Sequence, residues 1–306
     1  MVNAKVFNVK KYRPRVLLLG NGINRCMGGD EWGRMIDGLS GSDKIKCEGM
    51  PYGLYASFNM EEDDTKRHAK YYELFAEKYI YYDENELLVK LMKLPFDAVL
   101  TTNYTYEAEC AAMGENLTRK VKRVKKYSFY TAKDSKYLIH TFNRVSGTGT
   151  AQDIWHIHGE ARRRSSIILT HDEYIRLIEH MVSYCRNQKN RYAENDEVEF
   201  KSWIDYFILG NLYIVGQGFD YSENDLWWLM IRRVRENAEC GKAVYFTPKV
   251  DNKTTGVSKA LERCNVVVND IDYSVDISQD AKESVNEQYK EFYRKVTEHL
   301  SDIIHM

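Results

Sequence analysis

The residues of this sequence best suited to catalysis are a histidine and an asparagine, each at the end of an apolar segment. His158 precedes Gly159, which leaves room for a ligand, and Asn103 follows two threonines. An imidazole can accept a proton near neutral pH, as a general base must. The amide of Asn103 could hold a water molecule or a ribose hydroxyl. The alternative for this Thr-Thr-Asn segment is that it caps a helix.

Two glycine-containing turns follow two further apolar segments. Such a turn can direct backbone N–H groups and a helix N-terminus at a pyrophosphate. The first turn lacks the third glycine of the dinucleotide fingerprint, because Arg25 occupies its place, so an ordinary strand-to-helix turn is the alternative. The combination of the four sites favours chemistry on a dinucleotide. The residues predicted to contact it around the glycine turns are Gly20, Asn21, Gly22, Asn24, Gly216, Gln217, Gly218 and Phe219.

A parallel sheet would bring these four sites together. Six strand-like apolar runs alternate with helical patterns, which indicates βαβ units with right-handed crossovers. Ligands of open α/β sheets bind at the carboxyl ends of the strands, so the four sites should converge on one crevice. The sequence therefore predicts an α/β fold with a Rossmann-like parallel sheet flanked by helices. The predicted strands are 15–20, 96–101, 153–158, 211–216, 242–247 and 264–269.

The third of these runs contains two histidines with different predicted roles. His156 and His158 lie two residues apart in one predicted strand, so their side chains should point to the same face. His158 lies at the strand end and is the candidate catalytic residue. His156 lies deeper and is interpreted as a hydrogen-bonded core residue.

Two long insertions interrupt the alternation of strands and helices. Residues 25–95 and 105–152 each follow a strand that ends at a candidate site residue, so either could form a lid or a small subdomain over the crevice. No linker or internal repeat divides the chain. We therefore expect a single α/β domain over residues 1–306, ending in a helix from about 281 to 300.

A helix is also predicted directly after the second glycine turn, Gly216–Gly218. Ser222 and Asp225 are interpreted as a capping box that opens this helix. Trp227 and Trp228 on it are interpreted as core packing, with a base-stacking platform as the alternative.

Composition and charge narrow the class of protein without naming a function. The chain is 43% hydrophobic and 29% charged, as a globular protein is, and its net charge of −1 gives no general attraction to nucleic acid or anionic membranes. No apolar run approaches the roughly 18 residues of a membrane span, and residues 1–15 lack the apolar core of a signal peptide. We therefore expect a cytoplasmic protein without a membrane partner.

The cysteines also favour a cytoplasmic location. They are scattered and include no C-x-x-C pair, so neither a structural zinc site nor another metal is expected. Most simply they are reduced thiols that pack as small apolar residues, and a nucleophilic cysteine is the less favoured alternative. They are Cys26, Cys47, Cys110, Cys185, Cys240 and Cys264.

Two basic segments lie outside the four sites. Arg119–Lys126 alternates basic and apolar residues, which is typical of a charged edge strand. A nucleic-acid-binding stripe is the less favoured alternative. Arg162–Arg164 follows the His-Gly site closely and could contact a phosphate or a partner.

Taken in order, the four sites resemble the motifs of the SIR2 family over residues 15–250. Gly20-Asn-Gly-Ile-Asn24 stands where the family has G-A-G-x-S, and Thr101-Thr-Asn-Tyr-Thr105 stands where it has T-Q-N-I-D. His158-Gly159 is similar to the catalytic histidine and its following glycine. Gly216-Gln-Gly218 is similar to the G-T-S nucleotide contact.

The resemblance is closer to the bacterial NAD-hydrolysing branch than to the protein deacylases. The two C-x-x-C pairs of the deacylase zinc module are missing, which points to water as the acceptor. Thr105 replaces an aspartate that contacts the nicotinamide amide in the family. Thr102 and Thr105 are accordingly expected to contact the substrate beside Asn103.

The resemblance implies hydrolysis of NAD to nicotinamide and ADP-ribose, with Asn103 placing the attacking water and His158 as the base. NAD is then a substrate, and no metal is required. A toxic effector of antiphage defence is implied. Because such an enzyme must be controlled, we expect low activity in the isolated protein and a rise when it forms a homo-oligomer or binds a separate regulatory partner protein. The alternatives are a sirtuin-type deacylase, a non-catalytic module that binds NAD or ADP-ribose, and a subunit associated with nucleic acid.

Overall fold

The three-dimensional structure is a computed structural model. It describes residues 4–27, 32–39, 49–60, 63–76, 85–114, 128–132, 139–146, 151–194, 196–236, 240–249, 255–273 and 281–305. The basic segment Arg119–Lys126 and Cys47, both singled out in the sequence, lie outside these residues.

Strands and helices alternate along most of the described chain. The strands are β1 (Lys5–Asn8), β2 (Arg15–Leu19), β3 (Ala98–Thr101), β4 (Ser128–Ala132), β5 (Phe142–Ser146), β6 (Ala151–His156), β7 (Glu197–Phe200), β8 (Asn211–Val215), β9 (Ala243–Pro248) and β10 (Val266–Ile271). The α-helices are α1 (Trp32–Leu39), α2 (Tyr52–Asn59), α3 (Asp64–Ala76), α4 (Glu86–Met92), α5 (Glu107–Met113), α6 (His171–Glu194), α7 (Trp203–Leu209), α8 (Asn224–Arg235), α9 (Gly256–Arg263) and α10 (Ala281–His305). Two 3-10 helices cover Asn21–Met27 and Arg164–Ser166.

The main sheet is mostly parallel and has the Rossmann strand order, which confirms the predicted Rossmann-like parallel sheet. Its strands follow one another as β10-β9-β8-β2-β3-β6-β5-β4, and the six strands from β10 to β6 are parallel. In chain order these six occupy positions 6-5-4-1-2-3, and the order reverses between β2 and β8. Such a switch point is where open α/β sheets bind their ligands.

The central strands are apolar on both faces because helices cover both sides of the sheet. In β2, Leu17 and Leu19 pack into the core beneath α1–α5 and α10, whereas Val16 and Leu18 pack into the core beneath α6–α9. Strands buried on both faces read as continuous hydrophobic runs, which is why these strands were recognisable from the sequence.

The structure corrects the predicted elements in two respects. All six predicted strands exist, but β6 ends at His156, two residues short of the predicted end. Four strands were not predicted: β1 and β7 pair with each other in a separate antiparallel sheet, and β4 and β5 extend the edge of the main sheet. Strands β1 and β7 are short, mostly lack buried residues and lie far apart in the chain, so neither was recognisable by itself.

The two insertions have different positions in the fold. The described part of the first forms α1–α4, and α2 contacts α6 near the carboxyl edge of the sheet. The described part of the second forms α5 and supplies β4 and β5 to the sheet edge. None of the helices in the described residues is long and apolar enough to cross a membrane.

Candidate functional site

The two glycine turns meet at the switch point of the sheet. The Gly22 N–H donates to the Gly216 carbonyl at 2.8 Å, and the Gly20 N–H donates to the Val215 carbonyl at 2.9 Å. A Cβ on Gly20 would lie 2.3 Å from the Gly216 oxygen, so no larger residue fits there. Gly216 itself has a φ of +70°, a conformation that favours glycine. Both turns therefore need glycine because the two backbones touch.

A cavity of about 370 Å³ opens in front of these turns. Its size falls within the roughly 300–1,000 Å³ range of small-molecule sites. Five residues from the predicted turns line it: Asn21, Gly22, Gly216, Gln217 and Gly218. The aromatic part of the lining comes from four elements: Tyr52 of α2, Tyr174 of α6, Tyr245 and Phe246 of β9, and Tyr289, Phe292 and Tyr293 of α10. We call this space the switch-point cavity.

Charged groups of both signs line the switch-point cavity. Arg25 donates to the Tyr289 hydroxyl at 2.9 Å, and its guanidinium lies 5.7 Å from the centre of that ring. Arg25 thus places a cation beside the first glycine turn, where the dinucleotide fingerprint has a third glycine. Asp220 and Glu223 contribute carboxyl groups from the loop after β8.

Gln217 connects the ends of β3 and β8. Its Oε1 accepts a hydrogen bond from the Thr102 hydroxyl at 3.2 Å, and its Nε2 donates to Glu223 at 2.5 Å. Burial raises the pKa of Glu223 to about 7, with the charge of Asp225 acting in the same direction and the charge of His158 opposing it. A carboxyl group that titrates near neutral pH therefore faces the switch-point cavity.

Asn103 offers a free amide at the end of β3. Its backbone N–H donates to the Thr101 hydroxyl at 3.1 Å, and its carbonyl accepts from His156. The side-chain amide has no hydrogen-bond partner among the described residues. Neither Asn103 nor His158 lines the switch-point cavity itself.

Five of the predicted contacts lie outside the cavity lining: Gly20, Asn24, Thr102, Thr105 and Phe219. Asn24 is buried and donates to the Asn21 side chain at 2.9 Å, so it supports the first turn from behind. Thr105 donates to the buried carboxyl group of Glu107. Phe219 is fully buried with a φ of 52°, and its ring packs against Trp227.

His158 forms a buried pair with Asp225. Its Nε2 lies 2.9 Å from the Asp225 carboxylate, and both side chains are fully enclosed. Its Nδ1 has no hydrogen-bond partner in the part of the chain that the structure describes. Burial lowers the pKa of His158, but the charge and hydrogen bond of Asp225 outweigh it and hold the pKa above its ordinary value. The ring of Tyr174, which lines the switch-point cavity, stands edge-on to His158 at 5.2 Å. His158 therefore lies directly behind the cavity wall.

The prediction that His156 and His158 share one face of a strand is wrong. His158 lies in the turn beyond β6, where the strand alternation no longer applies. His156 bonds to Glu109 on α5, whereas His158 bonds to Asp225 on α8. The interpretation of His156 as a hydrogen-bonded core residue is confirmed, because it is buried and both ring nitrogens are bonded.

Asp225 and Glu223 are the site residues that sequence reasoning missed. The predicted capping box is wrong: α8 begins at Asn224 after Glu223, without a side-chain capping bond. Ser222 instead bonds to Asp220, and Asp225 turns inward to His158. The spacing of serine and aspartate fits a cap, and only the position of His158 shows the other role.

The C-terminal helix forms part of the site. Tyr289, Phe292 and Tyr293 of α10 line the switch-point cavity, and α10 packs on the 3-10 helix that carries the first turn. The sequence placed this helix outside the recognisable motifs. Its position on the turn, set by tertiary packing, could not be read from its amphipathic pattern.

The cysteines and the described metal-ligand groups suggest no second site. None of the five described cysteines forms a disulfide, and burial raises the pKa of both Cys26 and Cys185 to about 12, so these two thiols stay protonated. Within the described residues, no group of three or more His, Cys, Asp or Glu residues could hold a metal ion.

Comparison with known families agrees with this geometry. A model of the SIR2-like domain matches residues 97–253, just over half of the chain, and the match includes Asn103, His158 and the second glycine turn. No curated protein matches the chain. SIR2-like domains bind NAD, in keeping with a cavity built from two glycine turns at a Rossmann switch point. The chain therefore belongs to the SIR2-like family.

Proposed function

We propose that this chain hydrolyses NAD to nicotinamide and ADP-ribose. One arrangement carries the proposal: in a SIR2-like sheet, the wall of the switch-point cavity contacts a buried His158–Asp225 pair whose Nδ1 is free to take a proton. A module that only binds NAD has no need of a histidine held in this way.

The switch-point cavity has the groups that a dinucleotide requires. Backbone at Gly20–Gly22 and Gly216–Gly218 can approach the pyrophosphate closely, and Arg25 provides the opposite charge. The aromatic lining suits the planar rings of the substrate. Asn21, Thr102 and Gln217 are proposed to bind hydroxyl groups, with Asn24 and Phe219 holding the turns in shape.

The proposed chemistry needs a base and a positioned water molecule. The bond between C1′ of the ribose and the nicotinamide nitrogen breaks, and its electron pair leaves on the pyridine, which becomes neutral. No general acid is therefore required. Water held by the Asn103 amide adds to C1′, and its proton passes to Nδ1 of His158. Asp225 stabilises the imidazolium that results. The Thr105 hydroxyl, which donates to Glu107, is proposed to contact the nicotinamide amide through its oxygen.

His158 must become accessible for this reaction. The Tyr174 ring contacts His158 and faces the switch-point cavity, so it has to turn aside when NAD binds. Because His158 is enclosed behind the cavity wall, water molecules other than the nucleophile are kept away from it. We propose further that the hydrolase acts as a toxic effector in antiphage defence and is controlled by self-assembly or by a partner protein.

Release of nicotinamide from NAD by the purified protein tests the proposal. His158→Ala and Asn103→Ala should each lose about 10²–10⁴-fold in kcat while remaining folded. His180→Ala, which changes an exposed histidine on α6, is the matched control and should retain full activity. A folded His158→Ala protein with wild-type turnover would refute the assignment. NAD-dependent release of acyl groups from lysine peptides at a similar rate would favour the deacylase alternative.

A further inference from the structure

A second buried histidine pair lies next to Asn103. Nε2 of His156 is 2.7 Å from Oε1 of Glu109, and Nδ1 of His156 is 2.6 Å from the backbone carbonyl of Asn103. The His156 and Glu109 side chains are almost fully enclosed, at 3% and 0% exposure. The pair joins the end of β3 to the end of β6 and to α5.

Both ring nitrogens of His156 face acceptors only, so both must carry a proton. Burial lowers the pKa of His156, but the charge and hydrogen bond of Glu109, the charge of Glu160 and the Asn103 carbonyl raise it to about 9. The groups that face the ring are Glu109, the Asn103 carbonyl and Tyr106, whose ring stands edge-on at 5.4 Å and whose hydroxyl donates to Glu160. His156 is thus a cation at neutral pH.

The contribution of the His156–Glu109 pair to the stability of the fold does not by itself explain why it is present. Taking two charges out of water costs several kcal/mol per ion, and apolar residues of similar volume often stabilise a core as well or better. The pair does fix one thing that apolar residues could not fix, namely the direction of the Asn103 carbonyl. With its N–H held by Thr101 and its carbonyl held by His156, the Asn103 backbone is fixed on both sides, and only its side-chain amide is left for a ligand.

We propose that His156, held by Glu109, is a positioning residue that fixes the backbone of Asn103 so that its amide holds the attacking water. This inference rests on the proposed function for its catalytic consequence. A shift of the amide by about 1 Å can cost about 10²-fold in rate. The effect should therefore appear in kcat, with little change in KM for NAD.

Two variants separate the contact with Asn103 from the contact with Glu109. In His156→Asn, the amide nitrogen lies as many bonds from Cα as Nδ1 does, so it can still donate to the Asn103 carbonyl. In His156→Gln, the amide nitrogen takes the place of Nε2, so it can reach Glu109 but not that carbonyl. Each variant loses one of the two hydrogen bonds, and both lose the imidazolium charge, so they differ only in which contact is kept.

We expect kcat of His156→Gln to fall about 10–100-fold below that of His156→Asn. In an Asn103→Ala background the two variants should have equal kcat, because the amide that they position is gone. Equal kcat in the wild-type background, or an unchanged difference in the Asn103→Ala background, would overturn the proposal.

A second measurement does not depend on turnover. The ¹³C carbonyl resonance of Asn103 should move in His156→Gln and stay close to its wild-type position in His156→Asn. A resonance that moves equally in both would also overturn the proposal. A wild-type protein that hydrolyses no NAD contradicts the proposed function, whereas the carbonyl resonance still decides whether His156 holds Asn103.

Discussion

Replacing Asp225 by asparagine should disable His158 as a base while leaving the shape of the site intact. The carboxylate oxygen lies 2.9 Å from Nε2 of His158, and both side chains are fully enclosed. The Oδ1 of asparagine can still accept the Nε2 proton, so the ring should keep its orientation. Only the negative charge is lost.

The size of the effect follows from the attraction between two enclosed charges, whose centres lie further apart than the two hydrogen-bonded atoms. Two unit charges about 4 Å apart attract each other by about 4 kcal/mol at an effective dielectric constant of about 20. Each change of about 1.36 kcal/mol in the activation free energy changes the rate about tenfold. If the imidazolium is largely formed in the transition state, kcat should fall by about 10³-fold.

The assay is nicotinamide release at saturating NAD across a pH series. The charge of Asp225 raises the pKa of His158 against the effect of burial, so Asp225→Asn must lower it. A base acts in its neutral form, and activity therefore rises with pH through the His158 pKa. In the variant this rise should move to lower pH, and the plateau above it should be lower.

Asp153→Asn is the matched control. Asp153 is also buried, and it lies on β6, away from His158. Its carboxylate pairs with Arg144 at 2.7 Å and with Lys5 at 3.2 Å. This variant should lose stability without moving the pH profile. A folded Asp225→Asn protein with an unchanged plateau and unchanged pH dependence would refute the pairing of His158 with Asp225 as the source of basicity.

Three further predictions concern stability, each measured by urea unfolding. Gly22→Ala should lower the free energy of unfolding by about 1–3 kcal/mol, because its Cβ would lie 2.3 Å from the Tyr293 hydroxyl. Gly218→Ala is the control and should lower it much less, because its Cβ would meet no described atom within 4 Å. Arg233→Met should cost about 3–5 kcal/mol, since the buried guanidinium donates to carbonyls of α7, the turn after it and the turn before β9; a cost below about 1 kcal/mol would contradict this role. Burial raises the pKa of Glu223 from 4.5 to about 7, so its ionisation lowers stability as pH rises between these values, and Glu223→Gln should flatten that decline.

The sequence by itself determined which strand ends would meet at one edge of the sheet. Strands such as β2, β3 and β8 are continuous apolar runs that end at small or polar residues, and this pattern is local. Alternation with helices implied a parallel sheet, and a parallel sheet gathers the ends of its strands at one edge. The meeting of the two glycine turns followed from residue types and chain order alone.

Only the tertiary structure decided what each of these residues contacts. Asp225 is 67 positions from His158 in the chain, and its spacing from Ser222 fits a helix cap equally well. His156 differs from His158 in its partners because β6 ends between them, a boundary that an apolar run does not mark. The helix α10 shows only an amphipathic pattern, and the pattern does not say which surface its apolar face will cover. Partners distant in the chain are chosen by packing and by the burial of charge, and neither has a local signature in the sequence.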